Sequence, residues 1–139
     1  MIRRLLKKIL KRKDKQPSYT SPPAPPPAAP AADLATIECG AQELWERLQA
    51  GEPVIIVDVR EDFERKQSGF LENSLHIPLR ELSTRWEELK EANEIVCYCA
   101  AGARSYNAAM LLRENGLFNA TSLEGGISAW KAISAPVVR

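Results

Sequence analysis

Cys99 is followed by Ala100, Ala101, Gly102, Ala103, Arg104 and Ser105, so a nucleophile, a run of small residues and a cation stand close together in the chain. Residues this small let the backbone curl tightly enough for successive N–H groups to converge on one point. Together with the start of a following helix and the guanidinium of Arg104, those amides would cradle an anion. A thiol at the centre of such a cradle loses pKa units from its free value of about 8.5 and is poised as a thiolate nucleophile. The bland alternative is a buried structural cysteine beside a solvent-facing arginine. That alternative leaves unexplained why strand, curl, arginine and helix follow in the order the chemistry requires.

Positioning such a loop needs a rigid edge. Ile95-Val96-Cys97-Tyr98 and Val54-Ile55-Ile56-Val57 are apolar runs without polar alternation, which predicts strands covered on both faces and hence a parallel sheet. A cysteine just beyond such a strand lies at the carboxyl edge, where open α/β sheets place their ligands. Helices are predicted over residues 41–50, 61–67, 81–89, 105–115 and 127–132, with a brief extended piece at 75–78 and a further strand at 120–123. Gly51 and Gly116 serve as natural stops. The alternation predicts a wound α/β fold, a parallel β-sheet with helices on both faces.

The ordered set Val57-Asp58-Val59-Arg60-Glu61, Ile77-Pro78, the loop Cys99 to Ser105, and Leu123-Glu124-Gly125-Gly126 followed by Ala129-Trp130 resembles the rhodanese-like sulfurtransferases in their compact single-domain form. The resemblance spans about residues 36–138. It implies a cysteine that takes a sulfane sulfur from a small anionic donor such as thiosulfate, holds it as a persulfide, and passes it to cyanide, a thiol or a protein acceptor. Carried over, Cys99 is the nucleophile, the amides of Ala100, Ala101, Gly102, Ala103 and Arg104 hold the anionic sulfur, and the Arg104 side chain steadies the loop or the donor's oxyanion. No metal or organic cofactor is implied. Related phosphatases place five residues between cysteine and arginine. Four intervene here, which in the family goes with a pocket for sulfur rather than phosphate. The alternative to an enzyme is a sulfur-relay or docking module of the same fold with little turnover on small donors.

One departure stands out. Where the family commonly carries Gly-His-Ile-x-Gly-Ala, this chain has Gly69-Phe70-Leu71-Glu72-Asn73-Ser74, so Phe70 takes the place of the histidine and Asn73 that of the second glycine. Asp58, Arg60 and Ser105 are candidates to support the loop from behind, with a mutual or helix-capping ion pair as the plainer role for the first two. Cys97 reads as an inert core thiol, with resolving thiol as the alternative, and Cys39 as a passive one. His76, the single histidine, reads as structural, and Trp45, Trp86 and Trp130 as packing residues.

Composition bounds the rest. The chain has 139 residues and a formal net charge of +1, room for one ordinary domain with short appendages. That charge averages two unlike parts. Residues 1–33 hold eight basic and two acidic side chains, a net of +6, and residues 34–139 hold eleven basic and sixteen acidic, a net of −5. Within the first part, residues 16–33 carry seven of the ten prolines and read as an extended spacer. Residues 1–15 put Ile2, Leu5, Leu6, Ile9 and Leu10 on one arc of a helical wheel and Arg3, Arg4, Lys7, Lys8, Lys11 and Arg12 on the other. Such a helix is far short of the roughly 20 apolar residues that span a bilayer. It suits an anionic membrane surface instead, where each Lys or Arg is worth about 1 kcal/mol. The expected location is the cytoplasm, at the inner face of a membrane, with organelle targeting through residues 1–15 as the alternative. No specific nucleic-acid partner is expected. Three cysteines, which cannot all pair, argue against a disulfide framework.

Overall fold

A computed structural model describes residues 36–139; the amphipathic helix and spacer expected over residues 1–33 lie outside the described residues. Five strands form one parallel sheet: β1 (Glu38–Cys39), β2 (Ile55–Asp58), β3 (Leu75–His76), β4 (Ile95–Tyr98) and β5 (Ala120–Leu123), in the spatial order β1-β5-β4-β2-β3. The centre is fixed by a four-residue register between β2 and β4, from Ile55 opposite Ile95 to Asp58 opposite Tyr98. Every residue of β4 is buried, as its unbroken apolar run requires. Ile55 departs from that expectation: it opens β2 at the far end of the sheet and is 36% exposed.

The helices are α1 (Ala41–Gln49), α2 (Asp62–Ser68), α3 (Leu79–Arg85), α4 (Ala103–Glu114) and α5 (Gly126–Ala132), with a 3-10 turn over Trp86–Leu89. They cover both faces, because alternate residues of the central strands point to opposite sides. On one face Val57, Ile95 and Cys97 meet Leu82 of α3, Leu89 of the 3-10 turn, and Ala108, Ala109 and Leu112 of α4. The two alanines let α4 lie close against the strands. On the other face Ile56, Val96, Tyr98 and Leu123 meet Leu44 of α1 and Ile127 and Trp130 of α5. Fully burying an aliphatic side chain of this size stabilises the fold by about 1.5–3 kcal/mol, so the two layers hold the sheet rigid between them.

Three elements differ from the sequence expectation. β1 has only two residues and no periodicity of its own; it exists because Glu38 and Cys39 pair with Ser122 and Leu123 of β5. The helix expected over 81–89 starts two residues earlier, directly after Pro78, and tightens into the 3-10 turn at Trp86. α4 begins at Ala103 rather than Ser105, so the loop after Cys99 is shorter than expected. Among the described residues no helix is long and apolar enough to cross a membrane.

Candidate active site

β4 ends at Tyr98 and delivers Cys99 to the carboxyl edge of the sheet. Gly102, at φ +112°, turns the chain into α4 but has no side chain with which to cap it. Cys99 supplies that cap: its Sγ accepts the Gly102 N–H at 3.1 Å and the Ser105 N–H at 3.4 Å, two of the amides that a helix start leaves without partners. The sulfur therefore sits on the positive end of the α4 dipole. Ser105 Oγ lies 3.5 Å from Sγ, 3.2 Å from the Gly102 carbonyl oxygen and 2.7 Å from Ser122 Oγ on β5. As a thiol, Cys99 donates to Ser105 Oγ, whose proton serves Gly102 or Ser122; as a thiolate, Cys99 can accept that proton's hydrogen bond.

Burial pushes the Cys99 thiol up, but hydrogen bonds from the Ser105 hydroxyl and from the amides of Ser105, Gly102 and Ala101 outweigh it, and its pKa falls below the ordinary 9.0. Cys97, two residues earlier and fully buried, has no such donors: burial, aided by the Cys99 charge, pushes it up to about 12. Cys39 on β1 is raised to about 11, chiefly by burial.

The loop is held from below by α5. Ile127 N–H donates to the Cys99 carbonyl at 2.9 Å and Ser128 N–H to the Ala100 carbonyl at 3.2 Å. With those carbonyls fixed downward, the amides that follow are free to face the sulfur. The approach depends on Gly126, at φ +60°: a Cβ there would overlap the Cys99 carbonyl oxygen and come within 2.7 Å of the Ala100 carbonyl. The Gly-Gly pair after β5 is thus part of the site, a role the sequence reading did not assign it.

Arg104 turns to α2. Its guanidinium forms a two-point ion pair with Glu64, at 2.8 and 2.9 Å, and the Cys99 charge adds to the upward shift of its pKa. Glu64 Oε2 also accepts the Glu61 N–H at 3.0 Å, as the third helical residue of a capping box. Arg104 above all, then the Glu61 amide, hold the Glu64 carboxyl down to about 2 despite its partial burial. Sequence reading missed Glu64. The Glu61-x-x-Glu64 spacing marks a helix start, but nothing in it signals a partner 40 residues away.

Asp58 and Arg60 form the mutual ion pair, 0% and 1% exposed, and neither is hydrogen-bonded to the Cys99 loop. Asp58 accepts from Arg60 Nε and Nη2 at 3.0 and 2.8 Å, from Arg65 at 3.1 Å and from Tyr98 Oη at 2.7 Å. Burial opposes the Asp58 charge, but these donors, Arg60 first, keep its carboxyl below the usual range. Arg60 continues to the Gly69 carbonyl at 2.7 Å, while Tyr98 Oη accepts the Leu71 amide at 3.0 Å. The network therefore clamps the divergent 69–74 segment. Asn73 adopts φ +65°, the left-handed conformation that suits a glycine and that asparagine tolerates, while Phe70 places its ring 4.0 Å from the Arg65 guanidinium carbon. His76 Nε2 lies 2.7 Å from the Arg60 carbonyl oxygen, so that nitrogen carries the proton and the imidazole ties β3 to the chain after β2. Trp45 meets Trp130 edge-on at 5.7 Å, and both line a groove of about 430 Å³ that no residue of the Cys99 loop enters.

A family model for the rhodanese-like domain matches residues 40–133. The chain is 35% identical over 101 residues to a sulfurtransferase of Allochromatium vinosum, covering 73% of this chain and 94% of that protein. It is 31% identical over 90 residues to the thiosulfate sulfurtransferase GlpE of Coxiella burnetii, covering 65% and 82%. Among solved structures, a rhodanese-related protein of Thermoplasma volcanium matches with a TM-score of 0.66 and 36% identity, over 73% of this chain and 96% of that one. The parallel sheet, the loop beyond β4 and these matches together establish that the chain belongs to the rhodanese-like domain family.

Proposed function

We propose that the protein is a sulfurtransferase that carries a sulfane sulfur on Cys99 as a persulfide. The observation that carries this reading is the position of Cys99 Sγ as the cap of α4, where the amides of Gly102 and Ser105 stabilise negative charge on sulfur. In the first half-reaction the thiolate attacks the outer sulfur of a donor, of which thiosulfate is the simplest. The donor's S–S bond breaks with its electron pair leaving on sulfite, and Cys99 keeps the added sulfur. In the second, cyanide or a thiolate attacks that outer sulfur and returns Cys99 as the thiolate. The charge stays on sulfur in both directions, so the same amides serve the resting and the loaded state, and no general base or cofactor is required. The four residues between Cys99 and Arg104 support sulfur over phosphate as the group received.

Intact-mass measurement after incubation with thiosulfate, and separately with a small persulfide, tests the reading. The expected result is a gain of one sulfur, lost in Cys99→Ser and kept in Cys97→Ser and Cys39→Ser. No gain from either donor sinks it. Sulfur loading without turnover to cyanide or thiols would point to the relay module instead. For residues 1–15 the proposed partner is an anionic membrane surface, supported by their charge and apolar arc; binding to anionic but not neutral vesicles, weakened by salt, tests it.

A further inference from the structure

Resting on the sulfur-transfer reading, we propose that Glu64 sets the charge of the donor this site accepts, favouring a persulfide over the dianionic thiosulfate by neutralising Arg104. Arg104 is the one cation within the loop, and each of its terminal nitrogens gives an N–H to the Glu64 carboxylate, which offsets its charge while leaving further N–H groups toward Cys99. Glu64 cannot readily swing away: its side chain is 19% exposed and its Oε2 is tied to the Glu61 amide. The cations around it are committed as well. Arg60 and Arg65 are paired with Asp58 at 2.8 and 3.1 Å, Lys66 with Asp62 at 3.0 Å, and Arg80 with Glu61 at 3.0 Å. The one charge in excess belongs to the buried Arg60–Asp58–Arg65 cluster, where two guanidiniums share a carboxylate and Arg65 also bonds Ser74, so it is held beside the 69–74 segment rather than within the Cys99 loop.

The two donor classes make different demands. Thiosulfate brings two negative charges and releases sulfite with two. A persulfide brings at most one, carried on the sulfur that the loop amides are placed to hold. When Cys99 attacks it, the donor's S–S bond breaks toward the inner sulfur, which leaves as a thiolate and takes a proton from water. That route brings no second negative charge for Arg104 to meet. Glu64 is therefore a positioning residue whose charge sets specificity.

The test compares rate constants for sulfur loading of Cys99 by thiosulfate and by the persulfide of N-acetylcysteine methyl ester, whose body is uncharged. In Glu64→Gln the ratio of thiosulfate to persulfide rates is expected to rise roughly tenfold, the scale of removing one nearby unit charge from a partly solvated site. In Glu64→Asp, which keeps the charge, the ratio should stay within threefold of the wild type. A ratio that moves less than threefold in a folded Glu64→Gln protein overturns the proposal. Salt supplies a check without mutation: loading of the wild type by thiosulfate should be nearly flat in ionic strength, and a steep fall with added salt, the mark of a net positive mouth, also overturns it. No sulfur on Cys99 from either donor would instead defeat the sulfur-transfer reading itself, which keeps the two failures distinct.

Discussion

Cys97 and Cys99 are two residues apart on one strand and its extension, and both are almost wholly buried, yet their thiols shift in opposite directions. Inside β4 the backbone amides are spent on neighbouring strands, so the sulfur of Cys97 meets apolar side chains and stays protonated. Past Tyr98 the ladder ends, and the amides at the start of α4 turn to the sulfur of Cys99. Burial alone does not distinguish a structural cysteine from a reactive one. The distinction lies in where the nearest N–H groups are committed.

The sharpest way to break this comparison is to exchange its members. Cys99→Ser should abolish sulfur loading, whereas Cys97→Ser should still load and instead lose stability by about 1–3 kcal/mol, from a hydroxyl placed where it has no partner, as thermal unfolding would show. Alkylation against pH probes the same contrast in the unaltered chain. Cys99 should react with a midpoint below pH 9, and Cys97, with its thiol near 12, should hold at least about a thousandfold less thiolate at neutral pH and stay unlabelled until the protein unfolds. Equal labelling of the two would end the argument. Gly126→Ala should push α5 away from the Cys99 and Ala100 carbonyls, costing at least about 2 kcal/mol and slowing loading. The smallest effect on loading is expected from Ser105→Ala, which removes the hydroxyl that meets Cys99 Sγ, the Gly102 carbonyl and Ser122 and should raise the midpoint of Cys99 alkylation while the amides of Gly102 and Ser105 stay in place.

What could be read from the chain follows the range of the interactions. The run Ile95 to Tyr98, the small residues after Cys99 and the helix beyond are local, and the strand-loop-helix order was legible from them. β1 was not, because two residues carry no period and their strand exists only through β5. Glu64 was hidden for the same reason, since its partner is supplied by tertiary packing. The paired roles of Asp58 and Arg60 were legible as an ion pair, but their attachment to Tyr98 and to the Gly69 carbonyl was not. Phe70 and Asn73 were legible as a departure from the family pattern that leaves the Cys99 loop complete, but what holds them in place was not. Asn73 takes a left-handed backbone conformation that glycine would also supply, and the Arg65 guanidinium covers the Phe70 ring, contacts that tertiary packing alone provides.

The two amides of α5 that hold the loop carry a consequence for measurement in solution. The N–H groups of Ile127 and Ser128 are bonded to loop carbonyls rather than within their own helix, so their deuterium exchange reports whether the loop is closed, independently of any chemistry at sulfur. A local opening would release these two protons while those of β4 stayed protected. Comparing their exchange before and after Cys99 is loaded would measure how far the scaffold must yield to hold one additional atom.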